Sequence, residues 1–357
     1  MSRKTIFSVV MAVLMFMTVG VKKSTAVTSE DVKKALGLSL YLQGGYTANF
    51  SNDGKTTDFR PFDTNSNQFT LDLAQAIFSK EAAEKDSLGF KLKLSLGETA
   101  TYIHSTGTMP DEVDLTEAFL EYNFGEGMKA TIGKFATYIG GEVIEAIDNP
   151  NYSRSFLFYY AIPFTHTGLK LSKAFSDSFS LSLYLVNGWD NFQDENKDKS
   201  IGISASVAPS KDISLLLNAI TGREGLNQRS VFDAVLTINA TDNMTIYING
   251  DYGMEDNASG INPGEDAKWY GIAGILKYKF SDSYSLSLRG EMFKDDDASR
   301  TGTKQTLTEL TLTPEITTKG GLIVRPEIRY DMSDEKVFDG GNKDYQITAA
   351  LGLMYRW

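Results

Sequence analysis

Residues 176–189 read SDSFSLSLYLVNGW, and residues 281–288 read SDSYSLSL. In both, a short polar turn leads into strict alternation of serine and leucine. Strand side chains point to opposite faces with a period of two, so the leucines share one face and the serines the other. A soluble sandwich would bury the leucines, whereas a barrel in a bilayer would turn them to lipid. The remainder of the chain decides between these.

The same grammar recurs at distant places. Leu88, Phe90, Leu92, Leu94 and Leu96 alternate with Gly89, Lys91, Lys93 and Ser95. From Leu38 to Phe50 the even positions are largely apolar and the odd ones largely polar, and Tyr345 to Trp357 repeats the pattern. Sixteen such segments begin near residues 38, 68, 87, 114, 129, 164, 179, 200, 213, 229, 244, 268, 284, 304, 321 and 344. Short turn-rich connections (80–86, 125–128, 176–178, 209–212, 240–243, 281–283, 317–320) alternate with longer ones at 51–67, 100–113, 136–163, 190–199, 221–228, 253–267, 294–303 and 331–343.

Strict alternation of turns and loops is what an up-and-down transmembrane barrel requires, and a sandwich has no reason to obey it. The expectation is therefore an all-β protein, a transmembrane antiparallel up-and-down β-barrel of about sixteen strands. Phe124, Phe175, Phe179, Tyr278, Phe280, Tyr284, Tyr355 and Trp357 gather where strands meet turns, as in an interfacial girdle. On this reading both serine–leucine hairpins turn leucines to lipid and serines to a wet interior. Closure is obligatory, because backbone polar groups in lipid must be satisfied internally.

The N-terminus adds a destination. Arg3 and Lys4 precede an apolar stretch from Ile6 to Val19, and Ser24-Thr25-Ala26 offers a small-residue cleavage site, so residues 1–26 read as a secretory signal peptide. Lys22 and Lys23 leave open a cut after Gly20, and a membrane anchor is the plainer alternative. Residues 27–36 form a short periplasmic segment and residues 37–357 the barrel, placed in the cell outer membrane. Processing takes four cationic residues and no acidic one from a chain of net charge −11, leaving −15. Nucleic acid is an unsuitable partner, since binding it rests on clustered Lys and Arg. With no cysteine and two histidines, thiol chemistry is excluded and metal or cofactor sites have little material; none is expected.

The stretch GKFATYIGGEVIEAIDNPNYSRSFLFYYAIPFTHTG (133–168), with NGWD (187–190), resembles the signature of the OmpL-like β-barrel porin family. Gly133-Lys134-Phe135, Gly140, Glu142, Asn149-Pro150, Ser153-Arg154-Ser155, Pro163, His166, Gly168 and Asn187 to Asp190 carry it. The resemblance implies an outer-membrane barrel acting as a channel, and it supplies no solute.

In a barrel of this width, selectivity comes from wall charges and from any loop folded inward. The expected pore-lining residues are Lys91, Lys93, Glu117, Glu121, Lys134, Arg289, Glu291, Arg325, Glu327 and Arg329. Arg289 with Glu291, and Arg325 with Glu327 and Arg329, place opposite signs two residues apart on one face, suiting either a transverse field or a salt-bridged plug. The 136–163 connection, with Glu142, Glu145, Asp148 and Arg154 among apolar residues, is the candidate constriction loop. Tyr355 and Trp357 end the chain as an assembly signal for the outer-membrane barrel assembly machinery.

The function expected is passive diffusion of small hydrophilic solutes or ions through a water-filled channel in outer-membrane lipid. The alternative is a barrel of closed lumen serving binding, adhesion or envelope structure. Association into a homotrimer stays open. An enzyme is not expected, since only His166 offers a base.

Overall fold

A computed structural model describes residues 37–52, 54, 56–105, 111–194 and 196–357. The signal peptide and the 27–36 segment lie outside the described residues.

Sixteen strands close into one antiparallel barrel in which each pairs with its sequence neighbours and the first pairs with the last. They are β1 (Leu38–Asn49), β2 (Phe69–Lys80), β3 (Ser87–Leu96), β4 (Val113–Gly125), β5 (Met128–Ala136), β6 (Thr165–Ser176), β7 (Phe179–Val186) and β8 (Ser200–Ser210). The second half comprises β9 (Ile213–Glu224), β10 (Asn227–Thr241), β11 (Met244–Glu255), β12 (Ala267–Ser281), β13 (Tyr284–Asp295), β14 (Gln305–Thr317), β15 (Ile323–Ser333) and β16 (Tyr345–Arg356). Trp357 and Leu40 exchange both backbone hydrogen bonds across the seam, at 2.8 and 2.9 Å, so no edge is left there.

Alternation governs the outer face as expected. Leu183, Leu185, Leu288, Leu351 and Leu353 are exposed on it, as are Phe175, Phe179, Phe280 and Tyr284 at the turn ends. Two features depart from the sequence reading. The 221–228 connection is not a loop: Thr221 to Glu224 pair with Asn227 to Ser230, leaving Gly225 and Leu226 as a two-residue turn with Gly225 at φ 61°. That hairpin runs past the apolar zone, where polar residues on both faces erase the alternation. The connection after β3 opens with a helix, α1 (Glu98–Ile103), which no two-residue period reveals.

The serines of the two hairpins part company. Ser180 and Ser182 on β7 are half-buried, whereas Ser285 and Ser287 on β13 are buried at 4% and 1% exposure. Further along β13, Arg289 and Glu291 hold a chain segment inside the barrel.

Candidate functional site

That segment is the β5–β6 connection, residues 137–164, which enters the barrel. It carries a 3-10 turn at Ala146–Asp148 and a π turn at Leu157–Ala161. From its root near the extracellular end it crosses to β10 and β11, and its tip descends toward the periplasmic rim at β15, β16 and β1. The tip's depth follows from its partners. Asp148 accepts two hydrogen bonds from Arg356 at 2.8 and 2.5 Å, and Arg356 is the last residue of β16. Arg325, near the start of β15, donates to the carbonyls of Ala146 and Asn151.

A chain inside a barrel has no ladder to join, so its backbone groups need other partners. The wall charges supply them by sign. Glu327 accepts the N–H groups of Tyr152 and Ser153 at 2.8 and 3.0 Å, and Glu291 those of Phe156 and Leu157 at 2.7 and 2.6 Å. Arg329 donates to the Arg154 carbonyl at 2.5 Å, and Arg289 to the Ser153 carbonyl at 2.8 Å. Arg289 also meets Glu309 at 2.6 Å and Glu142 of the loop at 3.0 Å. Opposite charges two residues apart on a strand thus address successive carbonyls and N–H groups of a chain lying across them.

The loop holds itself together as well. Arg154 donates to the carbonyls of Val143, Tyr152 and Ile144, tying its two limbs, and is fully buried. Glu145 accepts from Lys93 at 2.8 Å and Gln75 at 2.7 Å. Burial alone would raise the Glu145 pKa; Lys93 and the hydrogen bonds outweigh it and hold the carboxyl down to about 2. Tyr152 donates to Asp72 at 2.6 Å, and its ring docks on Gly45 and Gly352, register partners across the β1–β16 seam, where any Cβ would collide with it. Tyr138 stacks on Tyr184 with ring centroids 3.7 Å apart and covers Gly202.

A second connection also folds inward. Arg60 pairs with Asp331 and Asp63 at 2.6 and 2.9 Å, and Phe62 packs on Phe158, Phe164 and Tyr102. The segment RPFD (60–63) shows no periodicity, and the aromatic cluster joins residues from three connections, so nothing in the sequence flags it.

The expected pore residues therefore separate into two groups. Arg289, Glu291, Arg325, Glu327 and Arg329 lie buried beneath the loop. Lys134 is buried against Asp114, and Lys93 and Glu117 are buried with each other at 2.6 Å. Lys91 keeps 32% side-chain exposure while bonded to Glu117 at 3.0 Å, and Glu121 keeps 22% beside Lys129 at 37%. Lys170, Ser172, Ser180, Ser182 and Ser206 are half-buried on neighbouring strands. The loop turns the exposed Gly141 and Val143 away from its packed side.

The NGWD corner pins the loop's return. Asp190 accepts the N–H groups of Phe164 and Thr165, both at 2.8 Å, and Trp189 N–H donates to Glu224 at 2.8 Å. His166 bridges Thr137 Oγ1 and the Gly188 carbonyl, buried at the root. Arg300 is stacked between Trp189 and Trp269, 5.1 and 4.9 Å from the ring centroids.

With this geometry in view, the family model described as "Putative beta-barrel porin-2, OmpL-like" matches residues 35–357. The chain belongs to that family. No curated protein sequence matches the chain. Among solved structures the porin is similar to Salmonella typhi OmpF, at 13% identity over 90% of this chain and 97% of that one, with a TM-score of 0.66. It is also similar to an anion-selective porin from Comamonas acidovorans (8% identity, 90% and 98% covered, TM-score 0.62) and to the outer membrane channel DcaP of Acinetobacter baumannii (11%, 90% and 96%, 0.58). At these identities the likeness concerns the fold. The protein is an outer-membrane porin, resident in the outer membrane.

Burial raises the Asp190 carboxyl to about 6, the two N–H groups only partly offsetting it, with Lys134 and Arg300 the nearest cations to act on it. A carboxyl whose folded pKa exceeds its unfolded value favours the folded state once protonated, so stability rises as pH falls through about 6 toward about 4. The stability of the detergent-folded porin against thermal unfolding is expected to rise by about 1 kcal/mol between pH 7 and pH 5 relative to Asp190→Asn. Identical pH profiles for the two proteins would refute it.

Proposed function

We propose that the porin passes small hydrophilic solutes between the exposed edge of the 137–164 loop, at Gly141 and Val143, and the inner wall of β3 to β11, and that this path favours anions. The supporting observation is the division of wall charges: those beneath the loop are consumed by its backbone, while Lys91, Lys129 and Lys170 retain access to water with Glu121 the less exposed acid among them. A narrow wall section of one sign focuses potential on passing ions. The 137–164 segment acts as the constriction, and its acids Glu142 and Glu145 are structural counter-ions. Asp148, paired to Arg356, guards the periplasmic side.

The same reading takes the protein as a non-enzymatic channel that associates as a homotrimer and presents Tyr355 and Trp357 to the assembly machinery. The test is single-channel recording in a planar bilayer under a salt gradient. Stepwise conductance with an anion-favouring reversal potential is expected, and Lys170→Glu is expected to move that potential to the cation side. A cation-favouring wild type would overturn the selectivity. A second reading, a closed lumen serving binding or envelope structure, draws on the packed Phe62, Phe158 and Phe164 cluster. Barrels that insert yet remain silent would establish it.

A further inference from the structure

Away from the paired charges beneath the loop, β10 and β11 place two carboxylates face to face. Asp233 and Asp251 are direct register partners on the inner wall, and Asn218 on β9 is the register partner of Asp233. All three are about nineteen-twentieths buried, at 4%, 5% and 5% exposure. Among the described residues neither aspartate forms an ion pair with Lys, Arg or His. Of the deeply buried acids discussed above, Asp72 is held by Tyr152, Gln43 and Thr70, and the others have a cation or a pair of backbone N–H groups.

Their remaining contacts are carboxamides, the Gly140 N–H on Asp233 and a direct contact of the two carboxyl groups with each other. Asn218 Nδ2 and Asn249 Nδ2 donate to the two oxygens of Asp233, each at 2.6 Å, and Asn249 Nδ2 reaches Asp251 Oδ2 at 3.4 Å. Two oxygens are left over within this cluster: Asp251 Oδ1 and Asn218 Oδ1 are buried with no hydrogen-bond donor. The neighbouring acid, Glu291, is engaged by the loop's N–H groups and contributes no positive charge. Opposite Asp251 on β12 stands Gly271, which offers no side chain of its own and is covered by Leu157 of the loop.

Two adjacent buried carboxylates do not both stay ionised without a compensating charge. We infer that Asp233 and Asp251, with the carboxamide oxygen of Asn218, form a binding site for a divalent hard cation, of which Ca²⁺ is the fitting one. The donors are all oxygens, with no nitrogen or sulfur ligand, which selects hard cations over transition metals. Two formal negative charges match a divalent ion. Burial leaves little room for the hydration shell that Mg²⁺ retains, and Ca²⁺ accepts irregular sets of carboxylate and carboxamide oxygens.

The site touches the loop. Asn249 Oδ1 accepts the Gly141 N–H at 2.8 Å, and Gly141 borders the exposed edge of the constriction. An ion here braces the wall on which that limb rests. This consequence for conductance rests on the proposed role of the loop; the binding itself does not.

The test uses the full mature barrel refolded in detergent and stripped with EDTA. Terbium luminescence excited through tyrosine and tryptophan reports occupancy, and calcium-dependent thermal unfolding reports linkage. One saturable equivalent of Tb³⁺, displaced by Ca²⁺ and not by equimolar Mg²⁺, is expected, with a Ca²⁺-dependent rise in Tm. Asp251→Asn and, independently, Asp233→Asn are expected to weaken Tb³⁺ binding at least a hundredfold while the barrel keeps its heat-modifiable electrophoretic mobility. Absence of saturable emission in the folded wild type would overturn the inference. Undiminished emission in both folded variants would also overturn it, placing the ion on the acidic extracellular loops instead. A wild type indifferent to Ca²⁺ and less stable at pH 7 than Asp251→Asn would assign the pair to a shared proton. If neither variant folds, the wild-type titration still decides.

Discussion

Replacing Arg289 with alanine is expected to release the 137–164 loop and, if that loop is the proposed constriction, to raise single-channel conductance several-fold. Arg289 joins Glu309 of the wall to Glu142 of the loop and donates to both the carbonyl and the hydroxyl of Ser153. Its removal leaves two buried carboxylates short of their guanidinium, and breaking one partner of such a pair costs about 3–5 kcal/mol. That cost is avoided only if Glu142 swings to water, which takes the adjoining limb of the loop with it. The barrel itself should persist, because its strand ladder does not pass through Arg289's side chain. Unchanged conductance in a folded Arg289→Ala porin would show that Glu291, Arg325, Glu327 and Arg329 hold the loop without it. Arg289→Lys separates charge from geometry: an ammonium keeps the sign and loses the planar fork, so partial release is expected.

The second large effect concerns the outer face. Leu288, adjacent to Arg289, points outward with 40% exposure. Leu288→Arg is expected to destabilise the barrel in lipid bilayers by about 2–4 kcal/mol, the cost of a cation near the bilayer midplane. Ser182→Arg, at a half-buried inner position, is expected to change stability by less than about 1 kcal/mol, within the ordinary range for surface substitutions. Reversible denaturant unfolding in liposomes measures both. Equal costs at the two positions would contradict the assignment of faces.

How much of this was legible beforehand follows from the range of the forces involved. Strand positions emerge from a two-residue period because each strand meets lipid on one face and the lumen on the other, so the environment is written locally. Strand starts agree with the structure within two residues, including β14, which runs Gln305–Thr317. The exception, the 221–228 connection, lies where both faces are polar and the period carries no information. The importance of the 136–163 segment was legible through its length and its mixture of acids with large apolar residues. Its partners were not: Tyr152 finds Asp72, Gly45 and Gly352, residues brought together only by closure of β1 onto β16.

The clearest contrast is between SDSFSLSL and SDSYSLSL. Local chemistry dictated that leucines face lipid in both, and they do. For the serines it dictated only which way they point. Ser180 and Ser182 retain contact with water, while Ser285 and Ser287 are buried on β13, the strand whose Arg289 and Glu291 hold a loop that begins more than a hundred residues earlier in the chain. Likewise the charges of β13 and β15 were identified as inward-facing from their alternation. Whether they would line water or hold a backbone depended on what crossed the lumen in front of them. The sequence by itself determined a barrel of about sixteen strands and its two faces, because burial in lipid acts residue by residue. The tertiary structure decided which part of the inner face stays wet, because that depends on long-range contacts that no local period encodes.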